Sequence, residues 1–342
     1  MAEQTVSAGL AHGFLEFAVS RGAEMSILTA RSGIDPHDLE DLDNRIPFAS
    51  YVALVRAAKA LTQDPALPMR YAEASDMSEF SIVGLLANAS ETMADAMAQL
   101  NRYGQLVVEV DIGAAGRFAM QQWQGGAWMV DTRPDPNAFP ELTESTFARM
   151  VCGPRRFLPK PFALEVHVTH AEPAHKAEYD RIFQCPVVFE SHWNAIRIDV
   201  AMTHERVALQ PRYVFGVLSE RADALLKSLQ SSKTFKGRVE SLLMPILHTG
   251  EASIDKVAGQ MAMSRQTLFR RLKAEGVTFA AVLDGLRHRL ALDYLSGRKV
   301  SVNETAYLVG FSEPAAFSRA FKRWTGMSPK AARGGPAANA AA

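Results

Sequence analysis

Between Ser253 and Trp324 the sequence writes one pattern twice. Ser253 precedes the short periodic run Ile254–Met261, in which Val257 and Ala258 face inward. A tight turn through Met261-Ala-Met263 leads to Ser264, and a second helix is predicted over Arg265–Ala274, closed by Gly276. The pattern then returns: Ser301 before Val302–Val309, a turn at Gly310, and Ser312 before a helix through Trp324 with Pro314 in its first turn. Serines at such places satisfy orphan N–H groups, glycine ends a helix, and proline is tolerated where no N–H is needed. A longer helix, Phe279–Leu295, joins the halves through Val282, Leu283, Leu286 and Leu290 and stops at Ser296-Gly297. A stretch punctuated this way is predicted to fold as helices and turns alone.

The second helix of each half has two chemically distinct faces. Leu268 and Leu272 are four apart and must face a core, leaving Arg265, Gln266, Phe269, Arg270 and Lys273 outward. Phe317, Phe321 and Trp324 form the matching inner face, while Arg319, Lys322 and Arg323 stay polar and Ala315 lies one turn before Arg319. A helix, a short turn and a helix with a basic outer face is the geometry that enters a DNA major groove. The formal charge of the 342-residue chain is zero, which at first argues against a polyanionic partner. From Lys233 onward, however, 17 Lys and Arg stand against 8 Asp and Glu, a net of +9, so residues 1–232 carry −9. An acidic half joined to a basic half fits one domain that binds nucleic acid and another with a different task.

The run Gly310-Phe-Ser-Glu-Pro-Ala-Ala-Phe-Ser-Arg-Ala-Phe-Lys-Arg-Trp-Thr-Gly-Met-Ser-Pro329 resembles the signature of AraC/XylS-type transcription regulators. Upstream, Ser264-Arg-Gln-Thr-Leu-Phe-Arg-Arg-Leu-Lys273 is similar to that family's first recognition helix. The resemblance covers about 100 residues. It implies two recognition helices entering successive major-groove segments of double-stranded DNA, roughly 34 Å apart. By position it assigns base contacts to Gln266, Arg270, Ala315 and Arg319. Arginine pairs bidentately with guanine and glutamine with adenine, whereas Ala315 offers only a methyl group to a thymine. Arg265, Lys273, Lys322 and Arg323 fall to phosphates, which give affinity with little choice of sequence. The same resemblance implies RNA polymerase as a further partner, and the tandem DNA-binding unit joined to a separate acidic domain favours activation over repression.

The first two hundred residues change period. Leu10, Phe14 and Phe17, then Tyr51, Leu54, Val55, Ala58 and Leu61, then Met93, Ala96, Met97 and Leu100 have helical spacing, the last set entered through Ser90-Glu-Thr92. Gln105–Ile112, Arg117–Trp123, Ala127–Asp131, Ala163–Thr169 and Ala195–Val200 read as strands, with a helix over Phe139–Val151. The fold class is therefore multidomain: an α+β domain followed by an all-α domain with two helix-turn-helix units joined by a linker helix. Ile82-Val-Gly-Leu-Leu-Ala-Asn-Ala-Ser-Glu-Thr-Met, Tyr179-x-x-x-Phe183-Gln-Cys-Pro-Val-Val-Phe189 and Asn194-Ala-Ile resemble the arabinose-binding-like sensor domain of one AraC subgroup. That implies a small-molecule effector of unknown identity, bound by residues the pattern does not name, and a possible homodimer. Val214–Leu229 is an amphipathic helix with Val217, Leu218, Leu225, Leu226 and Leu229 on one side, either a dimer seam or a face packed on its own domain.

Enzyme chemistry finds little footing, and no catalytic residue is assigned. Ser90 is not in a GxSxG elbow, and no Walker or GxGxxG loop occurs. His167 and His170 end a predicted strand on opposite faces, no HExxH exists, and Cys152 and Cys185 form no CxxC pair, so neither metal nor cofactor is expected. A catalytic first domain targeted to DNA, and a ligand-independent regulator, are the alternatives. The organisation expected is a sensor over 1–210, a connecting helix over 211–232, the DNA-binding unit over 233–333 and a low-complexity tail over 334–342. No run approaches a membrane span, and a cytoplasmic location is expected.

Overall fold

The N-terminal unit opens with β1 (Thr5–Ser7), α1 (Ala8–Ser20), α2 (Met25–Ser32), β2 (Arg45–Pro47), α3 (Phe48–Thr62), α4 (Leu67–Ala74), α5 (Ile82–Ala89) and α6 (Met93–Tyr103). It continues with β3 (Phe118–Trp123), β4 (Gly126–Asp131), α7 (Pro140–Cys152), β5 (Ala163–His167), α8 (Lys176–Phe183), β6 (Val187–Val188) and β7 (Ala195–Ile198). Then α9 (Arg212–Ser232) leads into the helical unit: α10 (Phe235–Leu243), α11 (Ile254–Gln260), α12 (Arg265–Ala274), α13 (Phe279–Ser296), α14 (Val302–Leu308), α15 (Pro314–Thr325) and α16 (Pro329–Gly334). The computed structural model describes residues 4–110, 116–207, 212–296 and 300–334. The chain separates into two units, Met1–Leu226 and Lys227–Ala342.

Five strands form a mixed sheet in the order β3-β4-β7-β5-β6, antiparallel except for the β5–β6 pair. Gln124 and Gly125, at φ 48° and 74°, close the β3–β4 hairpin, because a two-residue turn that matches strand twist needs positive φ at both positions. Side chains alternate along β4. Ala127 and Met129 join Val166, Ile196 and Ile198 on the face covered by Phe147 and Val151 of α7 and Ile182 and Phe183 of α8. Trp128 and Val130 lie on the other face with Ala195, Trp123 and Trp193. Burying each large side chain of this core contributes about 1.5–3 kcal/mol.

One expected strand, Gln105–Ile112, is only partly realised. Gly104–Leu106 is a 3-10 turn, after which Val107–Glu109 runs beside β1 through Ser7 N–H to Val107 O (2.8 Å) and Glu109 N–H to Thr5 O (2.8 Å). Asp111 and Ile112 lie outside the described residues. The β-forming residues found an edge to pair with, but Arg45 shapes the turn by donating to the carbonyls of Leu106 and Gln105. The short helices α2, α4 and α5 and the two-residue β6 exist through tertiary burial of residues such as Leu28, Met69 and Leu86.

A charged network sits at the end of β4. The Asp131 carboxylate is fully buried and accepts from Arg117 (3.0 Å), while Arg133 approaches it at 3.4 Å and Thr143 donates to it at 3.2 Å. Burial alone would raise the Asp131 pKa, but the two guanidinium groups hold it below the usual carboxylate range.

In the helical unit, α13 threads two small cores. Val282 and Leu286 pack with Val239, Leu243, Val257, Leu268 and Leu272; Ala291 and Leu295 pack with Ala306, Val309, Phe317 and Phe321. The two turns share their backbone. Met263 N–H donates to Ala258 O (3.0 Å) and Phe311 N–H to Ala306 O (2.9 Å), with left-handed Ala262 (φ 50°) and Gly310 (φ 78°) at the matching place. A Cβ on Gly310 would meet the Leu247 carbonyl oxygen at 2.2 Å. Arg287 fixes the second turn by donating to Val309 O (3.1 Å) and Gly310 O (3.0 Å), with its guanidinium 4.6 Å from the Phe311 ring centre.

Ser253, Ser264 and Ser301 cap as expected, Ser301 in a reciprocal box with Glu304. Ser312 does not. The N-cap of α15 is Glu313, extended at φ −136° and ψ 130°, and its side chain makes no capping bond. Pro314 explains the shift, because the residue before proline is pushed out of the helical region.

Gly310→Ala is expected to destabilise the helical unit by more than the roughly 1–2 kcal/mol of left-handed strain, since backbone must also move. Ala262→Gly should stabilise it by roughly 0.5–1 kcal/mol, relief of that strain less the entropy cost of glycine. Urea unfolding of both variants checks this. Asp131→Asn should cost about 3–5 kcal/mol by stranding buried arginines. Because the Asp131 pKa is depressed in the fold, its stabilisation is present above about pH 4 and lost as pH falls through the folded value. Acid titration of thermal stability should therefore be shallower in Asp131→Asn.

Candidate nucleic-acid interface and internal cavity

Moving the second cap to Glu313 brings the two basic helices into register. Gln266 and Ala315 each stand two residues after their caps, and Arg270 and Arg319 each stand six after. The buried pair Leu268 and Leu272 then corresponds to Phe317 and Phe321, all four fully buried. Two residues along a helix is a 200° rotation, so Gln266 and Arg270 point away from the core, as do Ala315 and Arg319. The price of that equivalence is a second turn one residue longer than the first.

All eight positions assigned by resemblance are exposed: Gln266, Arg270, Ala315, Arg319, Arg265, Lys273, Lys322 and Arg323. Their surroundings separate them. Arg265 is 3.4 Å from Asp255 of α11, and Arg323 is 2.9 Å from Asp284 of α13. Among the described residues, the side chains of Gln266, Arg270, Lys273, Arg319 and Lys322 enter no hydrogen bond or ion pair. Exposed pairs contribute about 0–1 kcal/mol, so a phosphate can replace either aspartate at small cost. Phe269, half exposed, adds an apolar group between Arg265 and Lys273 on α12. Phe317 and Phe321 are core, and Trp324 packs against it.

The N-terminal unit holds a cavity of about 730 Å³. Its wall is largely apolar, with Phe14, Val83, Met93, Met97, Phe118 and Met129 drawn from helices on one side and the sheet on the other. Pockets for small organic molecules fall in this size range and have this character. No spacing in the sequence announces this wall, because its residues come from segments that are helical, extended and irregular by turns.

The remaining candidate groups are spoken for locally. His167 contacts Ser191 Oγ (2.9 Å) and Glu165 (3.1 Å), whereas His170 approaches Glu144 (3.2 Å), so the two histidines serve different partners. Burial pushes the Glu144 carboxyl up, against a hydrogen bond donated by Tyr179. Cys152 and Cys185 are free thiols whose pKa values are raised by burial. Arg287 was missed by sequence reading. It lies next to Leu286 on α13, and nothing in its spacing separates it from a solvated arginine. Among the described residues no helix is long and apolar enough to cross a membrane.

Residues 22–207 match the family model for the arabinose-binding domain of AraC transcription regulators, and residues 257–335 match a helix-turn-helix domain. The chain is 25% identical over 337 residues to the ornithine utilization regulator of Pseudomonas aeruginosa, spanning 97% of each chain. It is 27% identical over 331 residues to the HTH-type transcriptional regulator VirS of Mycobacterium tuberculosis, spanning 93% of each. A crystal structure of the transcriptional regulator CdpR from Pseudomonas aeruginosa is similar at 20% identity and a TM-score of 0.42, covering 90% of this chain and 96% of that one. With its sensor-type first domain and paired helix-turn-helix units, the chain belongs to the AraC family of DNA-binding transcription regulators.

Proposed function

We propose that the protein is an effector-responsive activator. Residues 1–210 bind a small molecule, 211–232 connect, and 233–333 hold double-stranded DNA where RNA polymerase can be engaged, in the cytoplasm. The observation that carries this reading is the apolar cavity of about 730 Å³ in a domain separate from the basic helices. A ligand that binds one arrangement of the chain better than another shifts the population toward it, and no further machinery is required.

On DNA, Gln266, Arg270, Ala315 and Arg319 face base edges, and Arg265, Lys273, Lys322 and Arg323 face phosphates. The exposure of these residues and the shared register of α12 and α15 support their contact with DNA. Along α9, Ala222 and Leu229 are buried, Val217 is half exposed, and Asp223 accepts from Arg102 (2.9 Å) and Tyr103 (2.7 Å). The part around Ala222 and Asp223 therefore packs on its own domain, and Val217, Leu218, Leu225 and Leu226, exposed or partly exposed, are the residues left for a homodimer seam.

Selection of bound DNA from a random pool defines the cognate site. On it, Arg270→Ala or Arg319→Ala should cost roughly 1–3 kcal/mol and relax the preference at one base, whereas equal loss on random DNA would exclude base reading. Lys273→Ala should weaken all sequences alike and lower the salt slope by about 0.9. Joint Leu225→Glu and Leu226→Glu substitution should halve the mass measured by light scattering, and an unchanged mass would remove the seam.

A further inference from the structure

Four charged side chains line the cavity among the described residues, and three have an opposite charge at hand. Arg117 meets Asp131 at 3.0 Å, and Arg156 meets Asp76 at 3.3 Å. Arg149, on α7, is the exception. No carboxylate of the described residues forms an ion pair with it, and its Nε is buried without a hydrogen-bond partner. One terminal nitrogen reaches Ser75 Oγ at a long 3.4 Å. Otherwise the guanidinium rests against aromatic faces, 5.4 Å from the ring centres of both Tyr71 and Phe80.

That arrangement is unfavourable unless something completes it. An arginine stays charged at neutral pH, and a desolvated charge needs a partner with good geometry. Burial lowers the Arg149 pKa and also pushes the Tyr71 hydroxyl up to about 12, both signs of a poorly hydrated corner. The aromatic rings offset part of the cost. They leave most of the five N–H donors of a planar fork without acceptors, and a carboxylate matches that fork bidentately. Beyond Ser75, Ser145 and Thr146 the wall is mostly apolar, and Met93, Met97 and Met129 are flexible enough to fit an alkyl chain or a ring.

We propose that the cavity takes a molecule with an apolar body and one carboxylate, and that Arg149 binds the carboxylate. The inference rests on the reading of this cavity as the effector site. One arginine without an ion-pair partner balances a single negative charge; a dianionic or zwitterionic headgroup would leave charge unmatched.

The test uses the full chain and two matched series, decanoate with decanol and decylamine, and 4-phenylbutyrate with its alcohol and amine, measured by calorimetry and thermal shift at pH 7. At least one carboxylate should bind tenfold or more tightly than the alcohol and amine of the same body. Arg149→Met should melt no lower than the parent, because it removes an unpaired buried charge, and should lose tenfold or more in carboxylate affinity while binding the alcohol equally well. Arg149→Lys should fall between, keeping the charge without the fork. An alcohol or amine that binds as tightly as the carboxylate sinks the carboxylate assignment and leaves the cavity as effector site; this comparison needs only the parent protein, should Arg149→Met not fold. Unchanged carboxylate affinity in folded Arg149→Met sinks it too. Carboxylate binding that survives cavity filling by Met97→Trp, or no binding by any member of either series, removes the effector-site reading and the inference with it.

Discussion

The helical unit depends on α13. Each helix-turn-helix half has its own small core, and both cores are completed by residues of α13. One 18-residue helix supplies the inner wall of both, Val282 and Leu286 to the first and Ala291 and Leu295 to the second. Arg287, midway along it, grips the second turn through two backbone carbonyls, so the helix fixes polar as well as apolar geometry. Through these cores α13 joins the two halves, while α12 is also held by α10 and α11 and α15 by α14 and α16.

Much of that unit was legible because its rules are local. Capping serines, four-residue apolar spacing and glycine at a left-handed turn are each decided within one helical turn of chain. Even the misplaced cap had a local remedy: Pro314 dictates an extended Glu313, and applying that rule places α15 as the structure does. In the first domain four of the five strands of the main sheet were readable from runs of β-forming residues, and the two-residue β6 was not. The stretch 105–110 was not, because its course is set by Arg45, sixty residues earlier, and by the free edge of β1. The cavity was invisible for the same reason. Phe14, Met97 and Met129 share a wall only after the domain has folded.

Two buried charges in that domain show how context assigns roles. Asp131 is surrounded by Arg117, Arg133 and Thr143, so its charge is spent inside the fold. Arg149 has aromatic rings and one distant hydroxyl. Similar depth and opposite completeness distinguish a structural charge from one with capacity left over. Residue type and spacing, read along the chain, cannot make that distinction, because it lies in what stands opposite.

The equivalence of Gln266 with Ala315, within otherwise matching helices, has a consequence for orientation. A symmetric dimer of identical readers sees a palindrome and has no preferred direction along the duplex. On the proposed division of roles, one chain carries two unlike readers in fixed order, an amide in the first and a methyl in the second, set on turns of unequal length. DNA presented back to front would offer each helix the other's bases. Under that proposal the polarity of the site is written into a single polypeptide, and a regulator built this way has an upstream and a downstream end.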